Sequence, residues 1–197
     1  FSELEIKVPN GYIATYNGIM IDSLSTQDTT TLRWENTKFP IPTYLMAVTA
    51  SKYVTYTDKY VKKDNTTLPI DYYVLEKFLN NSVTDRTVSA FNLHTNMMAF
   101  FSDFLFEYPY EKYGVVSIPD FGGGMEHNTI TTIDNNWIYY YQYSGLAHEL
   151  AHHWLGNYIT CADWQDLWIN EGGATWLEAK WNKHYFGNQA FQDVLLQ

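Results

Sequence analysis

Apolar and polar residues alternate with period two through Leu4-Glu5-Ile6-Lys7-Val8, the pattern of a strand with one buried face. Asn10-Gly11 and Asn17-Gly18 mark short turns between apolar runs. The Ser- and Thr-rich stretch Asp22 to Thr31 reads as a polar loop or turn. Thr31-Leu32-Arg33-Trp34 and Tyr44-Leu45-Met46-Ala47-Val48 read as further strands, the latter entered irregularly through Pro40 and Pro42. The polar run Asp58 to Leu68 is the best candidate for a boundary, so residues 1–66 are expected to form a β segment.

Beyond residue 69 the period changes. Val88, Phe91, Met98, Phe101 and Leu105 follow helical spacing, and Ala90, Leu93, Met97 and Phe104 widen the apolar face, so a buried helix is expected that stops before Pro109. Tyr113 to Ile118 is a strand, followed by the glycine-rich Asp120-Phe121-Gly122-Gly123-Gly124-Met125-Glu126-His127. A helix capped by Ser144 is expected to run to the stop pair Gly156-Asn157, packing through Leu150, Trp154 and Leu155. A second is expected from Asp163, through Trp168, Leu177 and Trp181, to Gly187. Strands first and helices afterwards make the fold class α+β.

Composition narrows the function. Apolar residues make up 46% of the 197 positions, enough for a packed core, and no apolar run is long enough to span a membrane. With 22 acidic residues against 12 basic ones the net charge is −10, which argues against nucleic acid, whose binding needs basic patches. The single cysteine, Cys161, rules out an internal disulfide and reads as a small packed side chain. A chain that starts at Phe1 and stops at Gln197 within a helical pattern is expected to be a piece of something longer.

The chemistry is concentrated in His148-Glu149-Leu150-Ala151-His152, followed by Glu171 after eighteen intervening residues. Residues four apart share a helix face, so His148 and His152 can grip one metal ion. Two imidazoles and a carboxylate form the three-ligand set of a hydrolytic zinc site that keeps a position open for water. Glu149, beside the first ligand, is placed to take a proton from that water. Glu178, seven residues after Glu171 and on the same face, is a candidate partner for a zinc-bound imidazole. Gly172-Gly173 inside the second helix should cost about 1 kcal/mol each relative to alanine, compensated by close backbone approach.

Taken together, His148-Glu149-Leu150-Ala151-His152-His153-Trp154, Asn170-Glu171-Gly172 and Gly123-Gly124-Met125-Glu126 resemble the aminopeptidase N family of gluzincin metallopeptidases. The resemblance implies that residues 1–66 are the end of an N-terminal β domain. Residues 69–197 would be the first part of a thermolysin-like catalytic domain with a mixed sheet and zinc-binding helices. It further implies one zinc ion on His148, His152 and Glu171, with Glu149 as general base. Gly123, Gly124, Met125 and Glu126 would bind substrate, Glu126 gripping the free α-amine of a peptide. The family's catalytic tyrosine and C-terminal helical domain lie beyond Gln197, so this piece alone is expected to be weakly active or inactive. His127 departs from the commoner asparagine and reads as a variant hydrogen-bonder. Gly173 replaces a bulkier residue and would enlarge a pocket, and His153 reads as a helix-packing or surface residue. Two other readings stay open: a thermolysin-like endopeptidase, which leaves the glycine-rich motif unexplained, and a non-enzymatic module with a structural zinc.

Overall fold

The computed structural model describes residues 2–75, 87 and 89–196. Strand β1 (Ser2–Pro9) pairs antiparallel over its whole length with β4 (Thr29–Asn36), which also pairs with β3 (Ile19–Ser25). The period-two pattern puts Leu4, Ile6 and Val8 on one face, where they meet Ala14, Tyr16, Leu32 and Trp34. The expected loop over residues 22–31 is mostly strand. Ser and Thr suit an exposed outer strand, since β-branched threonine favours extended backbone, and a tight turn closed by Thr26 N–H to Thr29 O (2.8 Å) joins β3 to β4.

Strand β2 (Ile13–Tyr16) pairs with β5 (Val48–Ser51). The expected strand at 44–48 is instead a 3₁₀ turn, Thr43–Leu45, with β5 beginning only at Val48. The reason is the buried Asn17 side chain: its Nδ2 donates to Leu45 O (3.0 Å) and its Oδ1 accepts from Ala47 N–H (2.8 Å), occupying groups a ladder would need.

A five-stranded mixed sheet forms the centre. Its order is β6 (Tyr53–Val61), β7 (Thr67–Leu75), β8 (Tyr113–Ile118), β10 (Thr131–Asp134) and β9 (Gly124–Met125). The β7–β8 and β8–β10 pairs are parallel; the others are antiparallel. Residues 58–68, expected as a boundary, are the closed end of the β6–β7 hairpin. Polar residues gather there because the hairpin tip faces water, and β6 belongs to the same sheet as β8.

Helices cover one face: α1 (His94–Phe104), α2 (Asn135–Tyr139), α3 (Tyr143–Ala151), α4 (Leu167–Phe186) and α5 (Asn188–Leu195). The apolar stretch expected as one helix is interrupted by a turn at Asn92-Leu93, and Val88 lies outside the described residues. Met97, Met98 and Phe101 of α1, Leu146 and Leu150 of α3, and Leu177 and Trp181 of α4 join Ile70, Tyr72 and Val115 of the sheet in one core. Lys112, just before β8, is buried, and its Nζ donates to Tyr16 O (3.2 Å) and lies 4.3 Å from the Trp34 ring centroid, tying the two sheet systems together. Burial pulls its pKa down to about 7.

Candidate metal centre and the loop beside it

Leu146, Ala147, Leu150 and Ala151 bury one side of α3 and set its rotation, so that His148 and His152 turn toward α4. Their Nε2 atoms lie 3.1 Å apart, and Glu171 Oε2 on α4 is 3.5 Å from each. The opposite ring nitrogens are held: His148 Nδ1 by Glu178 Oε2 (3.0 Å) and His152 Nδ1 by Leu155 O (3.2 Å). A carboxylate and a carbonyl can only accept, so both rings donate from Nδ1, which leaves each Nε2 as the atom that can take a metal once it carries no proton. Zinc bonds of 2.0–2.1 Å at tetrahedral angles put ligand atoms about 3.3 Å apart, and the observed separations match. The residues present therefore fit zinc. Cys161 does not join this group: its backbone N–H donates to Asn170 Oδ1 (3.1 Å).

Two local expectations change. Ser144 does not cap α3, which starts at Tyr143 with no side-chain cap; its hydroxyl donates to Glu178 Oε1 instead. The helix ends at Ala151 rather than near Gly156, so His152 sits at its C-terminal boundary with helical backbone angles (φ −55°, ψ −26°). That short extension is enough to keep the four-residue spacing on one face.

Charge is dense here. Burial opposes a charged His148, but hydrogen bonds to Glu171 and Glu178 outweigh it and push its pKa up to about 10. Hydrogen bonds from His148 and His152 hold Glu171 well below the usual carboxylate range. Glu149 goes the other way, to about 8: burial dominates, His148 opposes it, and the nearby Glu126, Glu171 and Glu178 reinforce it. Its Oε2 has no hydrogen-bond partner among the described residues.

The glycine-rich segment lies against Glu149. Gly124 pairs with Ile133 and Met125 with Thr132, and a Cβ at Gly124 would fall 2.3 Å from Glu149 Oε1. Asp134 clamps the start of the segment: its carboxylate accepts N–H from Gly122 and Asn136 (2.8 Å each), and its own N–H donates to Gly123 O (2.8 Å). Burial works against this carboxylate, but the backbone donors outweigh it and keep its pKa low. Glu126 is buried, and its carbonyl accepts from Asn157 Nδ2 (2.8 Å). His127 Nδ1 meets Thr132 Oγ1 (2.9 Å), bracing the segment on β10. His153 is fully buried rather than on the surface. Gly173 does not open a pocket: a Cβ there would lie 2.9 Å from Leu155 Cδ1, so it permits close approach of α4 to the end of α3. Gly172, by contrast, has nothing within 4 Å of that position.

The structure thus brings together His148, His152, Glu171, Glu149 and Glu178, with Gly124 seated on Glu149. The clamping role of Asp134 is not apparent from sequence, and Asn157 is legible there only as a helix stop. The only signal pointing near them was the glycine run itself.

Residues 89–197, more than half of the chain, match the peptidase family M1 domain. The chain belongs to peptidase family M1. Glutamyl aminopeptidase of Sus scrofa is 30% identical over 162 residues, covering 74% of this chain and 16% of the relative. Aminopeptidase N of Streptomyces lividans is 27% identical over 189 residues, covering 90% of this chain and 21% of the relative. An M1 zinc metallopeptidase from Deinococcus radiodurans, solved as a variant bound to a Tyr-Ser-Ala substrate, superposes with a TM-score of 0.81 at 25% identity, covering 95% of this chain and 41% of that one. Aminopeptidase A of Legionella pneumophila shares the fold, with a TM-score of 0.83 at 22% identity over 94% of this chain and 23% of that one. This M1 chain therefore spans about a fifth of its curated relatives.

Proposed function

We propose that this chain is the metal-bearing part of an M1 zinc aminopeptidase, which releases N-terminal residues from peptides. His148 and His152 would hold the ion through Nε2 and Glu171 through Oε2. When bound, the zinc supplies Lewis acidity toward the scissile carbonyl and toward water. Glu149 accepts the attacking water's proton at Oε2, an oxygen with no hydrogen-bond partner among the described residues, and delivers it to the leaving amine. Glu178 keeps His148 in its Nδ1–H tautomer. Glu126 pairs with the substrate's α-ammonium, and its burial strengthens that pairing. β9 lies at the edge of the sheet, so its outward backbone groups can meet an extended peptide.

One observation carries this reading: β9 is seated on Glu149, with no room for a Cβ at Gly124, so the segment bearing Glu126 and the metal-binding helix form one site. Three converging ligands with no fourth side chain among the described residues favour a catalytic over a structural ion. We assign the small sheets of the first fifty residues to an N-terminal β region and the five-stranded sheet with its helices to the catalytic region. The remaining catalytic and C-terminal helical parts are expected from the longer parent chain.

The test is hydrolysis of matched peptides, with free and with acetylated N-termini, by zinc-loaded protein and by Glu149→Gln. Cleavage of the free peptide alone, lost in the variant, supports an aminopeptidase. Cleavage of the acetylated peptide would instead favour an endopeptidase. The 197-residue chain, which spans about a fifth of its curated relatives, is expected to turn over slowly compared with a full-length relative, since loss of even one oxyanion donor costs about 10²–10³ in rate.

A further inference from the structure

His153 follows a candidate metal ligand but lies just past the end of α3, which closes at Ala151. Its ring is enclosed by Tyr108, Tyr110 and Tyr113, at centroid distances of 5.8, 6.0 and 5.1 Å. Within that cage both nitrogens are used. Nε2 accepts the Thr129 N–H at 3.1 Å. An accepting nitrogen carries no proton, so the proton is on Nδ1, which donates to Glu149 O at 3.2 Å. The His153 backbone N–H bonds Leu150 O instead (3.1 Å), so the side chain supplies the donor that Glu149 O lacks once α3 has ended.

Thr129 lies three residues after Glu126 with φ +65°. A β-branched residue in left-handed backbone is an outlier, and such strain persists only where the surroundings over-determine it. They do so here. Gly18 N–H donates to Thr129 Oγ1 (2.8 Å), Asn128 N–H donates to Leu45 O (3.0 Å), and Asn17 Nδ2 donates to Asn128 O. Asn157, also past the end of α3, holds Glu126 O.

We propose that His153 is a positioning residue that joins the segment carrying Glu126 to the helix carrying the metal ligands, fixing where a substrate's α-amine sits relative to the metal. The inference rests on the aminopeptidase reading. Its test uses the zinc-loaded chain and two probes, leucinamide and N-acetylleucinamide, titrated calorimetrically. Wild-type protein should prefer leucinamide. His153→Leu, which deletes both bonds, should keep one zinc per chain yet lose that preference by tenfold or more. His153→Gln, which can still accept and donate, should restore most of it. Undiminished preference in His153→Leu overturns the inference. Absence of preference in the wild type overturns the aminopeptidase reading itself, a separate result. Nitrogen-15 NMR of the unmodified chain decides independently of how the variants fold. An Nδ1–H tautomer with a slowly exchanging Thr129 amide supports the bridge; an Nε2–H tautomer overturns it.

Discussion

Glu178 offers the most direct probe of how the metal centre is held. It lies two turns after Glu171 on α4, is 8% exposed, and divides its oxygens between His148 Nδ1 (3.0 Å) and the Ser144 hydroxyl. Asn182 Nδ2 holds Ser144 Oγ from the other side (3.0 Å). Glu178→Ala therefore strands an imidazole N–H and a hydroxyl in a site largely closed to water. A hydrogen bond to a charged group contributes about 1.5–3 kcal/mol net. Both partners are mostly buried, with side chains 20% and 11% exposed, so solvent screening removes little of this. At about 1.4 kcal/mol per factor of ten, zinc affinity should fall about 10- to 100-fold.

Glu178→Gln keeps an acceptor but loses the charge, and should fall near the weaker end of that range. Glu178 also strengthens the hold of His148 on a proton, which competes with the metal. The doubly charged ion gains more from the carboxylate than a proton does, so the net loss stands. Competition against a chromogenic chelator at fixed pH and salt measures it, with far-ultraviolet circular dichroism as the check on folding. An affinity for Glu178→Ala within twofold of wild type would refute the reasoning.

Other consequences are testable in the same protein. His94 is fully buried, and desolvation lowers its pKa to about 3. The unfolded chain takes up a proton below about pH 6.5 while the folded one does not, so this contribution is intact above 6.5 and is lost progressively between about 6.5 and 3. On moving from pH 7 to pH 5 it should cost about 2 kcal/mol, and urea titrations should show that loss disappear in His94→Phe. Gly173→Leu should destabilise by about 1–3 kcal/mol through overpacking against Leu155, with partial recovery in the double variant carrying Leu155→Ala; additive single effects would argue against the contact. Trp154 is fully buried against Phe101 and Tyr108, with Nε1–H donated to Phe106 O (2.7 Å), so Trp154→Ala should cost about 3–5 kcal/mol in the same assay. Zinc at a hundred times its dissociation constant should stabilise the fold by about 2.7 kcal/mol, and a chelator should reverse the gain; a melting temperature indifferent to both would count against the site.

What could be read in the sequence follows the range over which each feature is determined. The spacing of His148 and His152 works through one helical turn, so the pair shares a face even though α3 ends earlier than the apolar pattern suggests. Strand β1 is equally local, its alternation visible in five residues. The Ser/Thr stretch is a strand because it pairs with β4, and its composition carries no sign of that partner. Asn17 shows the same limit more sharply. With Gly18 it was legible as a turn, yet its side chain replaces the ladder bonds expected at Tyr44 to Val48 and reaches Asn128, 111 positions away. Nothing in the identity of Thr129 announces left-handed backbone, because that conformation is imposed by Gly18 on one side and His153 on the other. The residues that would do chemistry are thus arranged by short-range rules that survive in a linear reading. The residues that hold the glycine-rich segment against them are chosen by contacts between distant parts of the chain. Exchanging Asn17 or His153 should therefore disturb the geometry around Glu126 while leaving every motif residue in place.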